Sequence, residues 1–238
     1  PSHSINVWRA AGLRPWWYGA SAPILMAVNV MPIMGIVRWV MAQALDDLLD
    51  SLEDPDDATR EEAAKALAQL ANPTTLDALI GACGDEYWSV RTRAGWGVAK
   101  IGGPKAIEAL IALFNDPIME VRNEAVAAVV SLGVGHLDRL LAAMKDERWR
   151  VREHAAKACG DLRDARAVDA LIFACRDRDG AVKSAAAEAL GKIGDAKAIP
   201  ALIKLFRDSS KIVRETAGIA LVAIGQPSVD LLLETMKD

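Results

Sequence analysis

The feature that most constrains this chain is a period. Aspartates stand at Asp54, Asp85, Asp116, Asp146, Asp177, Asp208 and Asp238, at intervals of 31, 31, 30, 31, 31 and 30 residues. Six positions after each of the first six comes a basic residue: Arg60, Arg91, Arg122, Arg152, Lys183 and Arg214. Thr59, Val90, Val121, Val151, Val182 and Val213 precede them. A small residue recurs at Ala66, Gly97, Ala128, Ala158, Ala189 and Ala220. Gly, Pro, Asn or Asp interrupts each unit near its middle, as at Ala71-Asn72-Pro73, Gly102-Gly103-Pro104, Gly133-Val134-Gly135, Arg163-Asp164, Gly194-Asp195 and Gly225-Gln226-Pro227. A fixed period with a central breaker predicts a tandem array of helix, tight turn, helix, with Asp as the helix start signal. The units are 54–84, 85–115, 116–145, 146–176, 177–207 and 208–238.

One unit shows why there are six. In the fifth, Val182, Ala186, Ala189, Leu190 and Ile193 share one face of the first helix, and Ile199, Leu202, Ile203 and Phe206 recur at helical spacing in the second. Two such helices bury only part of their apolar surface, so neighbours must stack. The expected fold is all-α, a right-handed α-solenoid. In it the recurrent small residue permits close helix approach, the Asp caps the first helix, and the basic residue six places on forms a polar ladder between units.

The unit that opens Asp177-Arg178-Asp179-Gly180-Ala181-Val182-Lys183 and turns at Gly194-Asp195 resembles the HEAT-like repeat of the phycobilisome-lyase type. The resemblance covers residues 54–238. It implies a solenoid whose second helices line the concave face, and it admits several functions: bilin lyase subunits, deoxyhypusine hydroxylase, a DNA glycosylase group and many scaffolds. The hydroxylase is defined by repeated His-Glu pairs that hold two irons. Here the three histidines, His3, His136 and His154, are none of them followed by Glu. No metal site is therefore expected, and no cofactor. Cys83, Cys159 and Cys175 form no CxxC pair and read as small core residues. Cys159 and His154, five apart on one helix, point to different faces and form no nucleophilic pair.

Candidate contacts follow from rows along the repeats. Eight residues before the closing Asp lie Asp77, Glu108, Asp138, Asp169, Pro200 and Asp230, an acidic edge; one residue before it lie Gly84, Asn115, Lys145, Arg176, Arg207 and Lys237, basic in the last four units. Between them run Gly81, Ala112, Ala142, Phe173, Lys204 and Glu234. The first three units thus offer a small-residue floor with an acidic edge, suited to a helix or peptide with an apolar ridge and basic residues. The competing reading is that the charges only complement helix dipoles. A second surface is aromatic and basic. Trp88 and Trp149 hold one register two repeats apart, with Tyr87, Arg91 and Arg93 near the first and Arg148, Arg150, Arg152 and His154 near the second. Interleaved Trp and Arg bind phosphates or stack on bases and tetrapyrroles. Packing of each indole on the neighbouring turn is the alternative. Trp96 holds a register that predicts exposure on the convex side. A DNA glycosylase needs a basic groove, and the acidic row together with a net charge of -4 opposes nucleic acid.

The first 31 residues differ in kind. Up to Leu45 there are three Arg, no acidic residue and four of the seven Trp. The 22 residues Trp16 to Val37 carry no charge, and as a helix they would run about 33 Å, enough to cross a bilayer. Trp8, Trp16, Trp17, Tyr18, Ile24, Leu25, Met26, Met31 and Trp39 are the expected arm contacts. Against a spanning helix stand Pro23, Asn29 and Pro32, and an amphipathic stretch over 32–53 with Ile33, Ile36, Val37, Val40, Met41, Ala44, Leu45 and Leu48 on one face. That stretch reads as a helix capping the solenoid, and 1–31 as an apolar arm that docks on a partner, with membrane contact as the alternative. Ala42-Gln43-Ala44 also resembles a signal-peptide cleavage site. At the other end, Leu231, Leu232 and Leu233 include positions that a seventh unit would cover.

The sequence thus leads to a non-enzymatic scaffold or accessory subunit of a larger complex. It binds protein partners through the concave face and the arm, in the cytoplasm or at a membrane. A bilin-lyase-like or chaperone-like subunit is the alternative, and a DNA glycosylase the third.

Overall fold

The computed structural model of the chain describes residues 25–229, with side chains from residue 37 onward except at 38. Two compact units divide the chain, residues 1–47 and 48–238. Helix α1, Leu25–Ser51, runs unbroken through Pro32, so the boundary expected there falls inside a helix. Among the described residues no single helix is long and apolar enough to cross a membrane. Trp8, Trp16, Trp17, Tyr18 and Ile24 lie outside the described residues, as do Leu231, Leu232 and Leu233.

The second unit is an all-helical α-solenoid. Its helix pairs are α2 (Asp57–Leu70) with α3 (Leu76–Ala82), α4 (Trp88–Ile101) with α5 (Pro104–Leu113), and α6 (Met119–Ser131) with α7 (Leu137–Ala143). They continue as α8 (Trp149–Leu162) with α9 (Val168–Ala174), and α10 (Gly180–Ile193) with α11 (Ile199–Leu205); α12 (Lys211–Ile224) opens the sixth unit. The turn inside each unit uses a left-handed residue in one fixed register. Gly fills it four times (Gly102, Gly133, Gly194, Gly225), and Ala71 and Arg163 adopt φ of 47° and 52° there, a conformation that costs an L-residue about 1 kcal/mol. Asn72, Asp164 and Asp195 then accept from the N–H two residues on and start the second helix.

First helices stack on first helices, and small residues set the spacing. A Cβ added at Gly160 of α8 would lie 2.6 Å from the Ala189 Cα of α10, and one at Gly191 would lie 2.9 Å from the Ala220 Cα of α12. Gly160, Gly191, Ala68 and Ala99 share this register; the third unit places Val130 there. The α6–α8 interface is correspondingly the sparsest among the first helices. The buried stripe of α11 is Ile199, Leu202 and Leu205. Phe206, expected in that stripe, is 53% exposed, because the helix ends at Leu205 and the ring turns toward Gly218 of α12.

The polar ladder is present, but the role expected of Asp differs. The N-cap positions are Asp56, Tyr87, Ile118, Arg148, Asp179 and Ser210, two residues after each periodic Asp. The periodic Asp instead braces the connecting turn: Asp85 accepts from the Tyr87 N–H and Asp116 from the Ile118 N–H, both at 2.8 Å. Its carboxylate also receives the basic residue of the preceding unit. Arg60 reaches Asp85 at 2.8 and 3.1 Å, Arg91 reaches Asp116 at 2.6 and 2.8 Å, and Arg152 reaches Asp177 at 2.7 and 2.9 Å; Lys183 pairs with Asp208. The same guanidiniums donate back to carbonyls of their own turn, as Arg91 does to Asp85 and Glu86 at 2.8 and 3.0 Å. One side chain thus ties its own turn to the next. The third rung is open. Asp146 is held by Arg148, at 2.8 Å from both Nε and Nη2, and the Arg122 Nε is buried without a partner.

Removing a rung strands its partner. The Asp116 side chain is 5% exposed, so Arg91→Ala leaves a buried uncompensated carboxylate and is expected to cost about 3–5 kcal/mol. Arg93→Ala, which loses only the exposed pair to Glu61 at 3.2 Å, is expected to cost less than about 1 kcal/mol. Urea unfolding followed by circular dichroism separates the two; equal costs would refute the ladder as the main tie between units.

Candidate functional site

The acidic row lies on successive second helices, and most of it is already paired. Lys105 meets Asp77 at 2.8 Å, Arg139 meets Glu108 at 2.7 Å, and Lys197 meets Asp169 at 2.6 Å. Among the described residues Asp138 alone of the row has no ion pair, and Arg166 beside it clamps Asp164 at 2.6 Å. In three cases the cation comes from the following unit, so the row is a ladder of exposed inter-unit pairs. The sequence carries only part of this signal: Lys105 and Lys197 each stand twenty residues after a periodic Asp, but Arg166 at the same register pairs with Asp164 instead, and Arg139 stands elsewhere in its unit. The basic row behaves differently. Lys145, Arg176 and Arg207 are exposed, Phe173 is 73% exposed, and none of the three cations has an ion pair among the described residues.

The aromatic edge assembles at the starts of the first helices. Trp88 and Trp149 are the first residues of α4 and α8 and are 47% and 38% exposed. Arg150 lies over the Trp149 ring at 5.0 Å from its centroid, a cation–π contact. Tyr87, Ile118 and Met119 are exposed at the same two registers. Sequence reasoning placed Tyr87 beside Trp88 but missed Ile118 and Met119, although reading the intervening unit at the register of Trp88 and Trp149 leads to Met119. Beside them, between the second helices and the connecting turns, lies a groove of about 810 Å³. Tyr87, Trp88, Ala109, Ala112, Ile118 and Arg148 are among the residues that line it.

Several residues expected at this edge lie elsewhere. Arg91 and Arg152 are buried ladder residues. Trp96 is half-buried, and its indole N–H donates to Glu124 of α6 at 2.9 Å, which makes it a clasp between units. His154 is 1% exposed and packs against Phe114 with ring centroids 6.1 Å apart. Its Nδ1 lies 2.8 Å from the Arg150 carbonyl oxygen, which can only accept, so Nδ1 carries the proton. Its Nε2 is buried without a partner, and burial pushes the imidazole pKa below its usual value. Burial likewise pushes the thiols of Cys83, Cys159 and Cys175 up to about 12, far from the range of a nucleophile. Among the described residues no group of three His, Cys, Asp or Glu side chains is placed to hold a metal ion. On α1, Trp39 is exposed; Leu25, Met26 and Met31 are placed on that helix.

The HEAT-repeat family model matches residues 45–131, 120–180, 137–221 and 172–238, and the chain belongs to the HEAT repeats. No curated protein matches it in sequence. Among solved structures, Kap95p, determined with RanGDP, is similar at 14% identity and a TM-score of 0.57, over 76% of this chain and 30% of that one; this likeness is one of fold. A designed armadillo repeat protein in complex with the peptide (KR)4 is 23% identical, with a TM-score of 0.43, over 76% of this chain and 99% of that one. Human deoxyhypusine hydroxylase in complex with glycerol is 20% identical, with a TM-score of 0.40, over 76% and 84%.

The carboxylates that brace the turns carry a pH dependence. Hydrogen bonds from Arg148 hold Asp146 at about 2, and Lys183 lowers Asp208. Burial works against Asp85 and Asp177, yet Arg60 and Arg152 still bring them below the usual carboxylate range. Each has a lower pKa folded than unfolded. Its contribution is therefore complete above about pH 4, the unfolded value, and is lost as pH falls through the folded value. The melting temperature is expected to drop between about pH 4 and about pH 2, and Arg148→Ala to flatten the part due to Asp146. A melting temperature constant over that window would refute this account.

Proposed function

We propose that this chain is a non-enzymatic scaffold or accessory subunit that binds protein partners. The observation that carries the reading is the exposed ridge of Tyr87, Trp88, Ile118, Met119 and Trp149 along three successive units, beside a groove of about 810 Å³. Large aromatic and apolar side chains held half in solvent on a rigid array supply the anchors of protein interfaces. Stacked repeats also present extended surfaces to a partner. The buried thiols of Cys159 and Cys175, raised to about 12, and the core histidine His154, whose pKa burial lowers, support a binding role over covalent or acid–base catalysis. On its 31-residue period and the sequence of the fifth unit, we read the repeat as the phycobilisome-lyase HEAT-like type. The uncharged run 16–37 supports a further contact by the arm, with a partner or a membrane.

Selection of a random peptide library on the full chain tests the ridge. Peptides enriched above a control solenoid are expected to lose at least about tenfold in affinity on Trp88→Ala combined with Trp149→Ala, with the helical circular dichroism unchanged. No enrichment, or enriched peptides indifferent to both substitutions, would overturn the ridge as the principal site.

A further inference from the structure

The two charged rows are unequal in a way that sequence does not reveal. Three of the acids have lysine or arginine partners from the following unit, whereas the cations have no carboxylate within ion-pairing distance among the described residues. Lys145, Arg176 and Arg207 occupy one register, in turns of one geometry. Their amides donate to Ala142, Phe173 and Lys204 carbonyls at 3.0, 3.0 and 3.1 Å. Phe173 and Lys204 in turn share the register three residues earlier in successive units. Phe173, Arg176, Lys204 and Arg207 therefore form a four-cornered patch on the second-helix face of the fourth and fifth units, with Lys145 extending it into the third.

A recess of about 350 Å³ opens within this patch, lined in part by Ile172, Arg176, Pro200, Lys204 and Leu205. Two carboxylates, Asp177 and Asp208, and the ammonium of Lys183 also face it. Both carboxylates are already engaged, Asp177 by Arg152 at 2.7 Å and Asp208 by Lys183. The charge left to a ligand is that of Arg176 and Lys204. Phe173, 73% exposed, adds an apolar contact at its side.

We infer that this face docks an extended acidic segment of a partner protein, with carboxylates on the Lys145–Arg176–Arg207 row and an apolar side chain against Phe173 and the recess. The inference rests on the scaffold reading and names one partner chemistry for it. The spacing selects the ligand class. Packed helices lie about 8–10 Å apart, and an extended chain rises about 3.3 Å per residue, so each cation meets every third residue of a peptide. Phe173 stands alone on the patch, because the Phe206 ring turns toward Gly218 of α12; one exposed ring beside an aliphatic recess fits one apolar side chain and is not the series of stacking platforms that a nucleic-acid strand requires.

The test is fluorescence anisotropy with the full chain and a labelled peptide of about ten residues, carrying glutamate at every third position and one leucine between. The controls are a scrambled peptide with its glutamates contiguous, and an oligothymidine of about ten nucleotides. The spaced peptide is expected to bind about tenfold more tightly than either control and to weaken as salt rises. Arg176→Glu with Lys204→Glu is expected to cost at least about tenfold and Phe173→Ala several-fold, while Lys65→Ala, at an exposed lysine of the first unit paired with Glu62, leaves binding unchanged. All are exposed side chains, and circular dichroism melts verify that the variants fold. Equal binding of spaced and scrambled peptides, tighter binding of the oligonucleotide, or indifference to the charge reversals would overturn the proposal. If peptides selected through Trp88 and Trp149 bind but this one does not, only the acidic-segment site is lost. If neither kind binds, the scaffold reading falls with it.

Discussion

At four junctions of this solenoid one unit hands a guanidinium or ammonium to the next, through Arg60, Arg91, Arg152 and Lys183. The three arginines also donate to carbonyls of their own connecting turns, and the Asp that receives each side chain also holds the turn that starts the next first helix. The pair is largely buried, so neither member is satisfied without the other. Apolar stacking alone is non-directional and would let neighbouring helices slide. A bidentate Arg–Asp pair fixes register and orientation together. The fixed positions of the aromatic edge follow, because Tyr87, Trp88, Ile118 and Met119 sit in or just beyond the turns that those aspartates brace.

The junction between the third and fourth units shows what happens when that constraint is relaxed. Arg148 captures Asp146, Arg122 keeps a buried Nε without a partner, and Val130 replaces the small residue at the closest approach of first helices. These three departures have separate origins in the sequence and fall at one interface. The surfaces on either side of it also differ. The aromatic ridge and its groove belong mainly to the units before it, and the unneutralised cations mainly to those after it.

Much of the fold was legible in the sequence because repetition makes weak signals add. An Asp, a basic residue six places on and a breaker at the midpoint, recurring six times, with Val before the basic residue in five of them, leave few alternatives to a helical solenoid. The recurrent small residue also read correctly, since Ala189 and Ala220 of that row lie against Gly160 and Gly191 of the preceding first helices, too close for a further Cβ. What failed were local roles. Asp at each unit start was read as the helix cap, but the helix begins two residues later and the Asp braces the turn. Phe206 was read as core, but the helix ends before it. His154 was read beside Trp149, whereas one further helical turn carries it into the core against Phe114.

The candidate surfaces divide in the same way. The sequence by itself determined the solenoid, the registers that reach its surface and the identities of Trp88, Trp149, Phe173 and the basic row, because periodic spacing dictates which positions share a face. Only the tertiary structure decided which of those charges are free. The partners of Asp77, Glu108 and Asp169 lie 28 to 31 residues away, and such pairings depend on how one unit stacks on the next. The same stacking buried Arg91 and Arg152 in the ladder and turned Trp96 into a clasp. It left Lys145, Arg176, Lys204 and Arg207 without an ion pair among the described residues.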